Sequence, residues 1–117
     1  VMLKIDEDCY WFSLADGDAL LWVQGIAAGY NFNVDIHEPD VSPLQVQGPN
    51  STKLMTKVFG DWINDLGFYK FEEVNYEGIP IVISRMGYSK ELCYELFLKI
   101  TPREMSYGKF FGKQVKI

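Results

Sequence analysis

Glu95 is the residue whose setting best suits chemistry. In Leu92-Cys93-Tyr94-Glu95-Leu96-Phe97-Leu98-Lys99 the side chains alternate with period two. A strand with that pattern puts Tyr94, Leu96 and Leu98 on one face and Glu95, Phe97 and Lys99 on the other. A carboxylate beside a phenyl ring sits in mixed surroundings. It can accept two N–H donors from a flat heterocycle, such as the amino-pyrimidinone edge of a pterin, through charge-assisted bonds that strengthen as water is excluded. The plainer reading is a solvated strand residue paired with Lys70 or Lys99. Tyr88 follows Gly87, a glycine that lets a strand end turn while the ring is presented at a rim. That ring can stack on a heterocycle and its hydroxyl can donate or accept, although core packing is the commoner fate of a tyrosine. Arg85 either orients Glu95 across a hairpin or is an ordinary rim cation.

Other chemistries have little to build on. His37 is the only histidine, without a carboxylate or cysteine at ligand spacing, so a metal site or a Ser-His pair is not indicated. It reads as a half-exposed strand residue. Cys9 and Cys93 have neither metal-ligand spacing nor the density of a disulfide scaffold, and read as reduced, mostly buried thiols in a cytoplasmic protein. No basic cluster lies near Cys93 to activate it. Gly48-Pro49 lacks the repeated glycines of a phosphate loop, and Asp6, Glu7 and Asp8 read as a solvated acidic run.

The chain has 117 residues, 48% apolar and 15% aromatic, enough for one core and too few for two ordinary domains. A net charge of −5 with no run of Lys or Arg argues against nucleic acid and anionic membranes as partners. No apolar stretch is long enough to cross a bilayer. The opening Val1-Met2-Leu3-Lys4-Ile5 suits a piece of a longer polypeptide.

These residues need a scaffold, and the pattern supplies one. A buried strand over 9–14 stops at Ala15-Asp16-Gly17-Asp18, where Asp16 or Asp18 can cap a helix over 18–30. That helix carries two apolar stripes, Leu20, Val23, Ala27 and Trp22, Ile26, Tyr30, so it needs cover on two sides. Period two over 32–37 predicts a half-buried strand, and Leu44-Gln45-Val46-Gln47 another. Gly48-Pro49 starts a helix over 49–59, with Leu54, Met55 and Val58 facing inward. Strands over 69–76 and 79–85 flank a Glu77-Gly78 turn, a return strand covers 92–100, and 101–117 reads as a loose tail. This order is α+β, most like a ferredoxin-like or split βαβ antiparallel sheet with helices on one face.

Two segments carry a family resemblance: Gln47-Gly48-Pro49, and Ser84-Arg85-Met86-Gly87-Tyr88-Ser89-Lys90 leading to Glu95. With Trp11-Phe12-Ser13-Leu14-Ala15-Asp16 and Glu38-Pro39-Asp40-Val41-Ser42-Pro43-Leu44, they make residues 9–100 resemble the folate-dependent one-carbon transferases of the glycine cleavage T-protein superfamily. Within it the likeness is greatest to the dimethylsulfoniopropionate demethylases. The resemblance implies a single partial T-protein-like domain over 1–117 and tetrahydrofolate as cofactor. It places Glu95 at the family's pterin-binding carboxylate, Tyr88 at its pocket aromatic, and Ser13 where other members use an Asn near the folate. It implies transfer of a methyl or aminomethyl group from a small-molecule donor to N5 of tetrahydrofolate.

The family's catalytic Asp belongs to a motif just before the strand at Cys9, so the expectation is a fragment, inactive alone, that keeps part of the folate site. Leu92-Cys93 stands where the family has a small, often glycine-containing turn. A non-catalytic folate- or effector-binding ferredoxin-like module is the alternative. A folate protein of iron-sulfur maintenance or tRNA modification ranks last. An uncovered second stripe on the Trp22 helix predicts self-association.

Overall fold

The computed structural model describes residues 1–14, 17–39, 41, 43–87 and 91–98. The chain divides into two compact units, Val1–Pro39 and Asp40–Ile117. Tyr88, Asp16, Lys99, Ile100 and the expected tail over 101–117 lie outside the described residues.

In the first unit, β1 (Met2–Asp6) pairs antiparallel with β2 (Cys9–Phe12), and α1 spans Ala19–Gly29. The sequence reading missed β1. Asp6, Glu7 and Asp8 are all exposed, as a solvated run should be, with Asp6 ending the strand and Glu7-Asp8 making the turn. But β2 is not the buried strand expected, for Cys9, Tyr10 and Phe12 are exposed and Trp11 is half-buried. Asp18 occupies the N-cap position of α1 but its carboxylate makes no capping bond. Of the two apolar stripes only Ala27 is buried, while Trp22 and Tyr30 are 69% and 74% exposed.

The strand expected over 32–37 does not form. Alternation alone cannot make a strand, because a ladder needs a partner for its backbone groups. This segment spends those groups on the helix instead: Phe32 N–H donates to the Ala27 carbonyl (2.9 Å), and Gln24 Nε2 to the Ile36 carbonyl (2.7 Å).

The second unit is an antiparallel four-stranded sheet in the order β3 (Pro43–Gln47), β6 (Cys93–Leu98), β5 (Ile79–Ser84), β4 (Phe71–Tyr76). Between β3 and β4 run α2 (Ser51–Phe59) and a 3₁₀ turn, Asp61–Asn64. The chain is thus of the α+β class that its element order implies. The β4–β5 hairpin closes on Glu77 (φ 51°) and Gly78 (φ 86°), two positive φ angles that match the right-handed twist of the flanking strands. Gly78 N–H also donates to Asn75 Oδ1 at 2.9 Å. β4 begins at Phe71, two residues later than expected, because Tyr69 sits at φ 58°, outside strand geometry.

Pro49 precedes α2, one residue before the Asn50 N-cap. Gly48 (φ 113°) makes the bend, and its N–H donates to the Leu92 carbonyl at 3.0 Å. Ser51 Oγ donates to that same carbonyl at 2.9 Å, so the helix start is tied to the approach to β6. Met55 and Val58 face inward as the spacing predicts, with Leu54 half-buried. Met55, Ile63 and Leu66 pack on Ile81, Ile83, Tyr94, Leu96 and Leu98, the apolar face of the sheet. Each fully buried side chain there contributes about 1.5–3 kcal/mol of transfer free energy. Thr52 Oγ1 and the Tyr94 hydroxyl, 3.2 Å apart, satisfy each other inside this layer.

Candidate functional site

With Tyr94, Leu96 and Leu98 committed to the core, the intervening residues of β6 must face the other way. Antiparallel register carries that second face across the sheet: Gln45 on β3 lies opposite Glu95, and Glu95 opposite Ser84 on β5. Gln45, Glu95 and Ser84 therefore form one row, with Cys93 and Phe97 flanking it on β6.

Much of this face is shielded from solvent: Val82, Ser84, Cys93 and Phe97 are buried and Glu95 is half-buried, while Gln45 at its edge is exposed. Glu95 Oε2 is buried without a hydrogen-bond partner among the described residues. The expected alternative of a salt bridge from Glu95 to Lys70 is not formed, and Lys99 lies outside the described residues. Desolvation raises the Glu95 carboxyl above the ordinary glutamate range. A buried acceptor left unbonded costs about 1–3 kcal/mol. Such a cost persists where a donor from elsewhere satisfies the group.

The flanking side chains form a chain of weak donors and acceptors. Gln45 Nε2 lies 3.2 Å from Cys93 Sγ, and that thiol points to the Tyr94 carbonyl at 3.8 Å. Burial pushes the thiol pKa up, which favours the protonated form. Ser84 Oγ reaches toward the Glu95 carbonyl at 3.5 Å. Gly87 packs against Cys93: a Cβ there would stand 2.4 Å from Cys93 Cβ and 2.8 Å from Sγ. The glycine was expected for turning the strand end. Its φ is not in the positive region, and space is what it supplies.

Arg85 is not brought to Glu95. Its Nη1 donates to the Leu66 carbonyl at 2.8 Å and its guanidinium stands 5.9 Å from the Tyr94 ring centroid, on the core side of the sheet. Ser13 lies in the first unit just after β2, where its N–H donates to the Val1 carbonyl at 2.8 Å. His37 is exposed and pairs with Asp35 at 3.1 Å, not in a strand as expected. Cys9 is exposed rather than buried, and both cysteines are free. Among the described residues no cluster of metal-ligating side chains occurs, and no helix is long and apolar enough to cross a membrane.

Sequence reasoning singled out Glu95 but not Gln45, Ser84 or Cys93 as its neighbours. Alternation in Leu44-Gln45-Val46-Gln47 marks Gln45 as outward from the apolar face. Only the pairing register says that outward means beside Glu95.

A model of the GCVT N-terminal domain matches residues 1–114. The chain belongs to that family. The GCVT domain found here is 43% identical over 99 residues to dimethylsulfoniopropionate demethylase of Ruegeria pomeroyi, a match covering 85% of this chain and 27% of that protein. It is 35% identical over 109 residues to a probable aminomethyltransferase of Thermococcus kodakarensis, again 85% of this chain and 27% of the relative. To the aminomethyltransferase of Halothermothrix orenii it is 46% identical over 55 residues, or 47% of this chain and 15% of the relative. The domain thus spans about a quarter or less of the length of these relatives, and its antiparallel α+β arrangement is consistent with part of a T-protein N-terminal domain.

Proposed function

We propose that this chain is the pterin-holding part of a tetrahydrofolate-dependent one-carbon transferase, with Glu95 accepting the N–H donors of the amino-pyrimidinone edge. The observation that carries the reading is the buried, partnerless Oε2 of Glu95 on a largely buried sheet face. A pterin edge offers what that atom lacks, two convergent N–H donors, so the residues present fit the group. By the family resemblance, Ser13 and Tyr88 stand at sequence positions where other members of the superfamily have folate-site residues. Arg85 holds the end of β5 through the Leu66 carbonyl.

When bound, tetrahydrofolate supplies the amine that takes up a methyl or aminomethyl group from a small-molecule donor. The chain's own contribution is orientation: a fixed carboxylate sets the ring in one plane, and the flanking buried side chains keep water from competing for its donors. In this reading the chain alone binds the cofactor without turnover, and the protein is cytoplasmic, where free thiols such as Cys9 and Cys93 persist. The exposed side of α1, where Leu21 is 75% and Trp22 69% exposed, favours self-association.

Calorimetric titration with tetrahydrofolate tests the reading. Replacing the carboxylate by Glu95→Gln removes two charge-assisted bonds, and affinity falls about 100-fold at about 1.5 kcal/mol each. Equal affinity of the variant, or no binding by the unaltered chain, refutes it.

A further inference from the structure

We propose that Gln45 is a specificity-determining residue of this site, its carboxamide oxygen standing beside the Glu95 carboxylate as a second acceptor and its orientation latched by Cys93. The inference rests on the reading of Glu95 above and extends it to the ligand's 2-amino group.

A carboxamide end can point either way, and its neighbours decide which. The Cys93 thiol is buried and protonated, and its hydrogen is directed to the Tyr94 carbonyl. The sulfur is then left with lone pairs only, so Gln45 must present Nε2 to it, at the observed 3.2 Å. Gln45 is exposed, so its Oε1 is left as an acceptor open to solvent and to an incoming ligand. Because Gln45 and Glu95 are register partners on adjacent strands, their side chains stand together on one face.

Two adjacent acceptors, one charged and one neutral, select a planar ligand that presents three N–H donors along one edge. A 2-amino-4-oxopyrimidine has them, two on the exocyclic amine and one on the ring. Glu95 takes one amine hydrogen and the ring hydrogen, and Gln45 Oε1 the remaining amine hydrogen. A ring without the amine leaves Gln45 with nothing to accept. Cys93 acts as a positioning residue that never touches the ligand.

The test titrates the chain and its Gln45→Leu and Glu95→Gln variants with tetrahydrofolate and with its 2-deamino counterpart. Gln45→Leu is expected to weaken tetrahydrofolate about 10-fold, the value of one hydrogen bond, while leaving the 2-deamino ligand unchanged. Equal losses for both ligands, or none, overturn the role of Gln45 while a loss in Glu95→Gln leaves the carboxylate reading standing. If Glu95→Gln binds tetrahydrofolate as the unaltered chain does, the carboxylate reading fails and takes this one with it. A ligand-free measurement checks the latch: the infrared S–H stretch of Cys93 shifts in Gln45→Leu, with the exposed Cys9 thiol as internal reference. An unshifted band overturns the latch.

Discussion

Glu95→Gln should stabilise the chain at neutral pH, and the sign follows from the buried oxygen. Desolvation raises the carboxyl pKa in the folded state above its ordinary value of about 4.5. Below that value the side chain is protonated in both folded and unfolded states, and the native protein has its full stability. As pH rises toward the elevated folded pKa, the unfolded state loses its proton first, so stability falls and then levels off once both states are ionised. Ionising a half-buried carboxylate that gains no donor costs on the order of 1 kcal/mol beyond the cost of an unbonded neutral oxygen, which glutamine shares. Glutamine cannot ionise, so the variant escapes this loss. Urea unfolding at a series of pH values reads the difference. The variant's advantage should be near zero at pH 4 and grow to about 1 kcal/mol at pH 7, a midpoint shift of about 0.5 M. A variant less stable than the parent at pH 7, or an advantage independent of pH, would refute the argument that the carboxylate is an unsatisfied charge.

Other substitutions probe the surroundings of the site. Gly87→Ala drives a methyl into Cys93 and should cost about 1–3 kcal/mol in denaturant unfolding, with Cys93→Gly in the same chain restoring much of it. Arg85→Gln should lower stability by about 1–2 kcal/mol through the lost bond to the Leu66 carbonyl and leave tetrahydrofolate affinity unchanged; a 10-fold loss of affinity would put Arg85 back in the site. Sedimentation at rising concentration should show self-association, reduced by Trp22→Glu with Leu21→Glu, and a monomer throughout would contradict the reading of the α1 surface.

Local punctuation made much of this fold legible. Gly48-Pro49 announces α2 and Glu77-Gly78 announces the β4–β5 hairpin, because each fixes φ angles within two residues. Period two over 92–98 separated Glu95 from Tyr94, Leu96 and Leu98 without any tertiary information. Errors came where a strand depends on a distant partner. The same period two over 32–37 finds no ladder and yields no strand, while β1, with Leu3 buried and Ile5 half-buried, exists because β2 pairs with it. The site divides the same way. Glu95 could be picked from its own strand, but its neighbours Gln45 and Ser84 arrive from 50 and 11 residues away, by registers no local pattern encodes.

The most direct measurement follows the side-chain carboxyl carbon of Glu95 by NMR as pH is varied, with and without tetrahydrofolate. Free protein should show a carboxyl that titrates above the ordinary glutamate range, and saturating cofactor should move that titration to lower pH as N–H donors stabilise the ionised form. A titration unmoved by the cofactor would mean that Glu95 does not hold the heterocycle.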